Sequence, residues 1–541
     1  MFIFNRVRIM STRLYTYNPH KHVKIWLSNK PTLFMNLENQ VRLLEMREQN
    51  PNDEINLVYD STLLGAEAIT QLETFCTDNR IIPVDAAMFE KQTLTEKERT
   101  LLNFYKDEIS NLNNGGNLAV ASDILRWVSP LYEYGTYTDF DFPVDTSVLP
   151  PTIEVAAPLL LNIGSLKMGK QEFILSNNDY VAIIDPKAAK EQLERVQSGI
   201  IEKLTQYDND FIERTREQLQ NNFFNRYILK FMNNRSESHY IAKSKELDKH
   251  LTSSRDIRNY IRQVMSDKDK YIDFSRKSHE ESNEEVTQRL KNGLQNKLTL
   301  VKYLFFSKEY MEIKYTLQKD DDAILAYLMK TELNLYLKSI VVCTTGPIQI
   351  SEALFGGYVF DSKYFIKNIQ PFSFNHYNLQ KTFKTQNSIP IHSSPLHMIR
   401  FLGKGEGELN DSSWLESGGL LQDMRIKKLE QRQQEFASSL PNALMTLKHD
   451  IEEYIIKLSR TQDGTMEKQS KINKEALEEV LRCFHQEKNE NEFDVAQFQN
   501  IFTEFFHDQS KKPITDLEKL SHKAIIFGLT KNRKIKWHSP S

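Results

Sequence analysis

Apolar positions in the first 141 residues switch between short unbroken runs and stretches spaced three to four residues apart. HVKIWLS (22–28) has the continuous pattern of a buried strand, and PTLFMNLENQVRLLEMREQNP after it has helical spacing and a Pro-Asn stop. INLVYDS (55–61) predicts a second strand ending at Asp60, AEAITQLETFCTD a helix, and RIIPVDAAMF a third strand. TLTEKERTLLNFYKDEISNL opens with Thr and Glu three apart, the capping-box spacing, and predicts a further helix. NLAVASDILRWVSPLYEYG predicts a helix ending near Gly135, followed by the strand YTDFDF. Strand–helix alternation of this kind predicts a parallel sheet with covering helices, an α/β fold.

From about Asp185 the pattern becomes long, charged and helical, nearly free of proline and glycine, through residue 337. A helical bundle or large helical insertion follows from that spacing. KSIVVCTTGPIQISEALFGGYVF (338–360) returns to β-branched sequence and predicts a strand, a tight Gly-Pro turn and a short helix. A glycine-rich segment with one tryptophan, GKGEGELNDSSWLESGG (403–419), closes this part, and the remainder to Ser541 has mostly helical spacing. Four regions result: 1–185 and 338–420 as two parts of one α/β core, 186–337 as the helical insertion, and 421–541 as a helical C-terminal region.

Composition narrows this picture. A chain of 541 residues exceeds one ordinary domain. A formal net charge of −3 argues against a dedicated nucleic-acid binder. The three cysteines, Cys76, Cys343 and Cys483, are far apart and suit a reducing compartment better than a disulfide framework. The N-terminal residues lack the uninterrupted apolar core of a secretory signal, and VAAPLLLNIG (155–164) is too short to span a bilayer.

Four Asp-x-Asp matches occur: Asp139/Asp141, Asp208/Asp210, Asp267/Asp269 and Asp320/Asp322. The last three fall in helical sequence, where a solvated acidic face is expected. Asp139 and Asp141 fall at a predicted strand end, as does Asp60, and ligands of open α/β sheets bind at such carboxyl ends. On a strand, residues i and i+2 share a side, so the two carboxylates are expected to point together into the crevice. A hard cation such as Mg²⁺ or Mn²⁺ carrying substrate phosphates would relieve their repulsion. A hydrogen-bonded strand end is the alternative.

The surrounding residues bear on that choice. NLAVASDILRWVSPLYEYGTYTDFD (117–141) resembles the signature of the GT-A glucosyltransferases of the large clostridial toxins and the related Legionella effectors. KIWLS (24–28), NLVYDS (56–61), TTGP (344–347) and DSSWLESG (411–418) agree in order, so the resemblance covers roughly residues 20–185 and 338–420. One departure is Tyr134-Gly135-Thr136, where the family usually has two glycines.

The resemblance implies a GT-A nucleotide-sugar fold and retaining, metal-dependent transfer of a sugar, UDP-glucose foremost, to a hydroxyl of a host protein. It implies that Trp26 stacks on the uracil, and that Asp123 and Arg126 contact sugar hydroxyls and diphosphate. Asp139 would hold ribose and sugar hydroxyls, with Tyr137 on the same side, and Asp141 would ligate Mn²⁺ or Mg²⁺ together with Asp139. Asn178, with Asn177 an equal candidate, would lie near the donor sugar, and Ser412 and Trp414 would close over the diphosphate. It also implies delivery into a host cell by a specialised secretion route.

Each residue has a plainer reading. Trp26 in an apolar strand suits a core position, Asp123 and Arg126 suit a helix-surface ion pair, and Trp414 could pin a loop. GxxxxGK[ST], HExxH, GxSxG and the kinase motif set do not occur. The competing class is a binding or scaffold protein. In that reading the transferase site is weak or inactive and the helical middle and tail dock on a host protein or, through RIKKLEQR (425–432) and KNRKIKWH (531–538), on a phosphoinositide or other acidic membrane. Solvated helix faces are the plainer account of those two runs.

Overall fold

The computed structural model describes residues 13–205 and 243–382, apart from 303–306 and a few single positions, and parts of 448–456, 468–497 and 534–538. Four strands, β2 (Lys21–Ile25), β3 (Glu54–Tyr59), β4 (Ile82–Asp85) and β5 (Thr136–Thr138), lie parallel in the order β4-β3-β2-β5. The sheet continues antiparallel through β8 (Gln171–Ile183) and β7 (Leu159–Met168), with β9 (Val359–Asp361) beside the start of β8. A separate ribbon pairs β1 (Tyr15–Tyr17) with β6 (Ile153–Val155).

Strand residues divide between two apolar clusters. Val23, Val58, Tyr137 and Val181 face one, and Ile55, Leu57, Tyr59 and Tyr180 face the other. Helices α1 (Leu37–Gln49) and α2 (Ala66–Asp78) cover the second face. The first is covered by α3 (Glu96–Ser110), α4 (Leu118–Leu125), α5 (Ser129–Tyr132) and α6 (Lys190–Thr205). Burial on both sides explains the unbroken apolar runs. The predicted capping box at the start of α3 is present, with Thr95 and Glu98 bonding each other's backbone amides. Gly135 before β5 adopts φ +129, and a Cβ there would lie 2.5 Å from the Lys21 carbonyl oxygen.

Chain order across the parallel strands reverses between β2 and β5, the first and fourth of them. At such a switch point the loops diverge and leave a crevice at the carboxyl ends. Trp26 follows β2 and Asp139 follows β5, so both stand at the carboxyl ends of the strands that flank the switch point.

Beyond α6 the described residues of the helical region form α7 (Ser254–Val264), α8 (Lys268–Ser275), α9 (Asn283–Lys302), α10 (Ser307–Thr316) and α11 (Asp321–Thr344). They share a third core that includes Ile257, Ile261, Tyr271, Ile324 and Tyr336. The expected strand at residue 338 is not formed. Residues 338–344 are the last two turns of α11, and Gly346 leads into α12 (Pro347–Phe355), followed by α13 (Ser362–Asn368). The apolar β-branched run reads like a strand, yet its residues gain a helix by packing between two cores. The anticipated division at 337/338 therefore falls inside a helix.

Two further expectations change. The helix expected to run to Gly135 breaks after Leu125 into two helices. In the C-terminal region the described residues include α14 (Lys468–Leu481) and an antiparallel sheet of β10 (Phe484–Glu487), β11 (Glu490–Asp494) and β12 (Lys534–His538), where helix was expected. RIKKLEQR (425–432) lies outside the described residues.

Gly135→Ala is expected to destabilise the protein by about 2 kcal/mol or more, because both the positive φ and the Lys21 backbone oppose a side chain. Urea unfolding of the variant measures this, and an unchanged midpoint would show that the turn before β5 relaxes freely.

Candidate active site

Asn117 caps α4 through its side chain, which accepts from the Ala119 amide, and this short helix carries Asp123 and ends at Arg126. The guanidinium is 7% exposed and makes ion pairs with Asp123 Oδ1 (3.0 Å) and Asp139 Oδ1 (3.1 Å). It donates to the Asn178 carbonyl (2.6 Å) and lies over the Tyr137 ring, 4.3 Å from its centroid. The Tyr137 hydroxyl donates to the same Asp139 oxygen. Asp123 Oδ2 accepts from Thr345 at the end of α11 (2.8 Å).

These contacts set the charges. Burial works against the Arg126 charge, yet Tyr137, Asp139 and Asp123 around it hold its pKa above the ordinary arginine range. Burial pushes the Asp123 carboxyl up to about 6, opposed by Arg126 and the Thr345 hydroxyl. Burial also raises the Tyr137 phenol well above its usual value. Two buried donors, Arg126 Nε and Asn178 Nδ2, have no hydrogen-bond partner. Unmet donors of this kind are costly inside a protein.

A bulge brings Asn178 to this point. Between Leu161 and Asn162 the β7–β8 register jumps from Val181 to Asn177, so residues 178–180 fall outside the β7–β8 register, and the Asn162 side chain of β7 donates to the Asp179 carboxylate (3.0 Å). Those residues turn to β5 instead: Thr138 pairs with Tyr180, and the Asp139 amide donates to the Asp179 carbonyl (2.9 Å). Bulges commonly re-aim side chains in this way.

The Asp-x-Asp pair departs from the expected geometry. β5 ends at Thr138, and Asp139 to Phe142 form a turn closed by Phe142 N–H donating to the Asp139 carbonyl (3.1 Å). Strand alternation therefore does not govern the two carboxylates. Asp139 reaches toward Arg126, whereas Asp141 lines an open cleft of about 440 Å³ shared with Lys24 and with Arg42 of α1. The turn itself is held by a residue that sequence reasoning missed. Lys24, 2% exposed, donates to the carbonyls of Asp139 (2.6 Å) and Phe142 (3.3 Å). Burial lowers its amine to about 7, against the pull of Asp139 and Asp141. The available signal was a lysine inside the otherwise apolar HVKIW.

Other candidates resolve individually. Trp26 is 9% exposed and packs edge-on against Phe34 (5.9 Å), on the sheet face opposite Tyr137, so it is a core residue here. Asn177 is buried, its Oδ1 without a partner. Asp60 is occupied by capping Thr62 and by the Tyr105 hydroxyl (2.7 Å). Asp267 and Asp320 are helix N-caps, which explains two of the remaining Asp-x-Asp matches, and Asp208/Asp210 lie outside the described residues. Ser412 and Trp414 also lie outside them. Among the described residues no three potential His, Cys, Asp or Glu metal ligands gather. Asp139 and Asp141 are two carboxylates, fewer than a hard ion requires, so further oxygen donors would have to complete any such site.

A model of glycosyltransferase family 88 matches residues 4–389. The chain belongs to glycosyltransferase family 88. That match runs through the helical region and ends before Ser412 and Trp414. No curated protein matches. Among solved structures, one described as PaToxG glycosyltransferase is 13% identical, covering 60% of this chain and 88% of that chain at a TM-score of 0.27. At that score the likeness adds nothing to the family assignment. As a family 88 member the chain is a glycosyltransferase, so it takes a sugar donor and an acceptor.

The raised Asp123 pKa has a consequence for stability. Its carboxyl binds a proton more tightly folded than unfolded, so stability falls as pH rises from about 4 to about 6. Asp123→Asn removes that dependence. The melting temperature of wild type relative to the variant is expected to drop across this window, by at most about 3 kcal/mol in stability. A difference that is flat with pH would show that Asp123 ionises as readily folded as unfolded.

Proposed function

We propose that this family 88 glycosyltransferase is a retaining enzyme of the GT-A, Asp-x-Asp type. It moves a sugar from a nucleotide diphosphate donor, UDP-glucose foremost, to a hydroxyl of a host protein. One observation carries the reading. A buried, permanently charged Arg126 sits at the sheet's switch point between Asp123 and Asp139, with Arg126 Nε and Asn178 Nδ2 unmatched.

Each group has a task in that chemistry. Arg126 stabilises negative charge growing on the departing diphosphate, and it needs no reorganisation because its carboxylate and carbonyl partners already fix it. Asp123 and Asp139 accept hydrogen bonds from sugar and ribose hydroxyls, and Asn178 Nδ2 donates to a donor oxygen. Mn²⁺ or Mg²⁺, when held by Asp141 and Asp139, would supply further neutralisation of the phosphates. Lys24 keeps the Asp139–Phe142 turn closed through its main-chain carbonyls. The carboxylates nearest Arg126 are engaged by it and by Thr345 or Tyr137. That engagement favours front-face attack by the acceptor hydroxyl over a covalent glycosyl-enzyme. Water in the acceptor's place gives slow donor hydrolysis.

Hydrolysis of UDP-glucose with and without Mn²⁺ tests the reading directly. The double variant Asp139→Asn, Asp141→Asn is expected to lose about a hundredfold or more in rate, the scale of removing a preorganised charge-stabilising group. A double variant as active as wild type would overturn the assignment. In wild type, the rate is expected to fall as pH drops through about 6, because Asp123 then takes up its proton and no longer accepts. A profile flat from pH 5 to 8 would remove Asp123 from the donor site.

A further inference from the structure

Residues Thr344–Thr345–Gly346–Pro347 form the elbow between α11 and α12. Thr345 is fully buried and caps the end of α11. Its hydroxyl has one proton and two oxygens within reach: Asp123 Oδ2 at 2.8 Å and the Val341 carbonyl at 3.3 Å. The nearer, charged acceptor makes the stronger bond. Arg126 meets Asp123 Oδ1 and Thr345 meets Oδ2, and together they fix the plane of the carboxylate.

The elbow sets where that hydroxyl stands. The amides of Thr345 (3.2 Å) and Gly346 (2.8 Å) both donate to the Val341 carbonyl. Gly346 packs so tightly that a Cβ would lie 2.8 Å from the same oxygen. Pro347 then opens α12 at its first turn, where a missing amide is harmless. A second link joins the helical region to α4. Arg258 of α7 pairs with buried Glu108, whose other oxygen accepts the Asn117 amide (2.8 Å) at the N-cap of α4. The catalytic helix is therefore held at its start through Glu108 and near its end through Thr345.

We propose that Thr345 is a positioning residue of the transferase site: its hydroxyl fixes the Asp123 carboxylate against Arg126 and makes the 254–344 helical region part of the donor site. The proposal rests on Asp123 serving the donor as described above. It gives TTGP, which sequence reasoning took for a strand and turn, a role in aligning the acid that faces the sugar.

The test compares full-length wild type, T345V, T345S and T344V in UDP-glucose hydrolysis across pH, with thermal melts of each. T345V is expected to lose about tenfold or more in kcat/KM at neutral pH, the scale of one hydrogen bond to a charged group. Its acid limb moves to higher pH, because ionised Asp123 has lost a donor. T345S restores both rate and limb. T344V serves as control, since the Thr344 hydroxyl donates only into its own helix, to the Ile340 carbonyl (2.7 Å), and its rate should match wild type. Should T345V fail to fold, T345A takes its place. A T345V rate and acid limb equal to wild type would overturn the proposal. So would an equal loss in T344V, or a T345S variant as impaired as T345V. These outcomes are distinct from failure of the functional reading, in which the Asp139→Asn, Asp141→Asn variant itself matches wild type.

Discussion

A buried guanidinium is the constraint around which the site is arranged. Taking Arg126 out of water is unfavourable by several kcal/mol unless opposite charge and hydrogen-bond acceptors surround it. Asp123, Asp139, the Asn178 carbonyl and the Tyr137 ring provide that surrounding, and they come from α4, the turn after β5, the bulge in β8 and β5 itself. Removing any one element would leave the charge under-compensated, so the site and the junction of the sheet stabilise each other. The same arrangement leaves Nε and the Asn178 amide without a hydrogen-bond partner.

Around this charge, two devices hold the site in place. Lys24 grips the backbone of the Asp139–Phe142 turn through the Asp139 and Phe142 carbonyls. Thr345 occupies one oxygen of Asp123 with a neutral donor, which orients the acid without adding a second positive charge. Both act from outside the central segment 117–141, one from the far face of the sheet and one from the end of a 24-residue helix. Family 88 membership, with a match extending over residues 4–389, accords with a functional unit that includes the helical region.

Much of the first half was legible in the sequence. The runs HVKIW and INLVY had to be strands because helices cover both faces, and the Thr95–Glu98 spacing announced the start of α3. Asp123, Arg126, Tyr137 and Asp139 do converge, as a resemblance centred on NLAVASDILRW and TYTDFD implied. Other readings failed for identifiable reasons. The pair Asp139/Asp141 left the strand because β5 ends at Thr138, and local sequence does not say where a strand stops pairing. KSIVVCTT became helix because tertiary packing between two cores outweighed β-branched preference.

What the sequence determined by itself was everything that depends on neighbours a few residues apart: periodicity, capping, the glycine that admits φ +129, and the family signature. What only the tertiary structure decided was every contact across long separations. Thr345 meets Asp123 across 222 positions, Lys24 meets the Asp139 carbonyl across 115, and Arg258 meets Glu108 across 150. A hydroxyl or an amine has no periodicity to betray it, and its role follows from which charge the folded backbone happens to place within 3 Å.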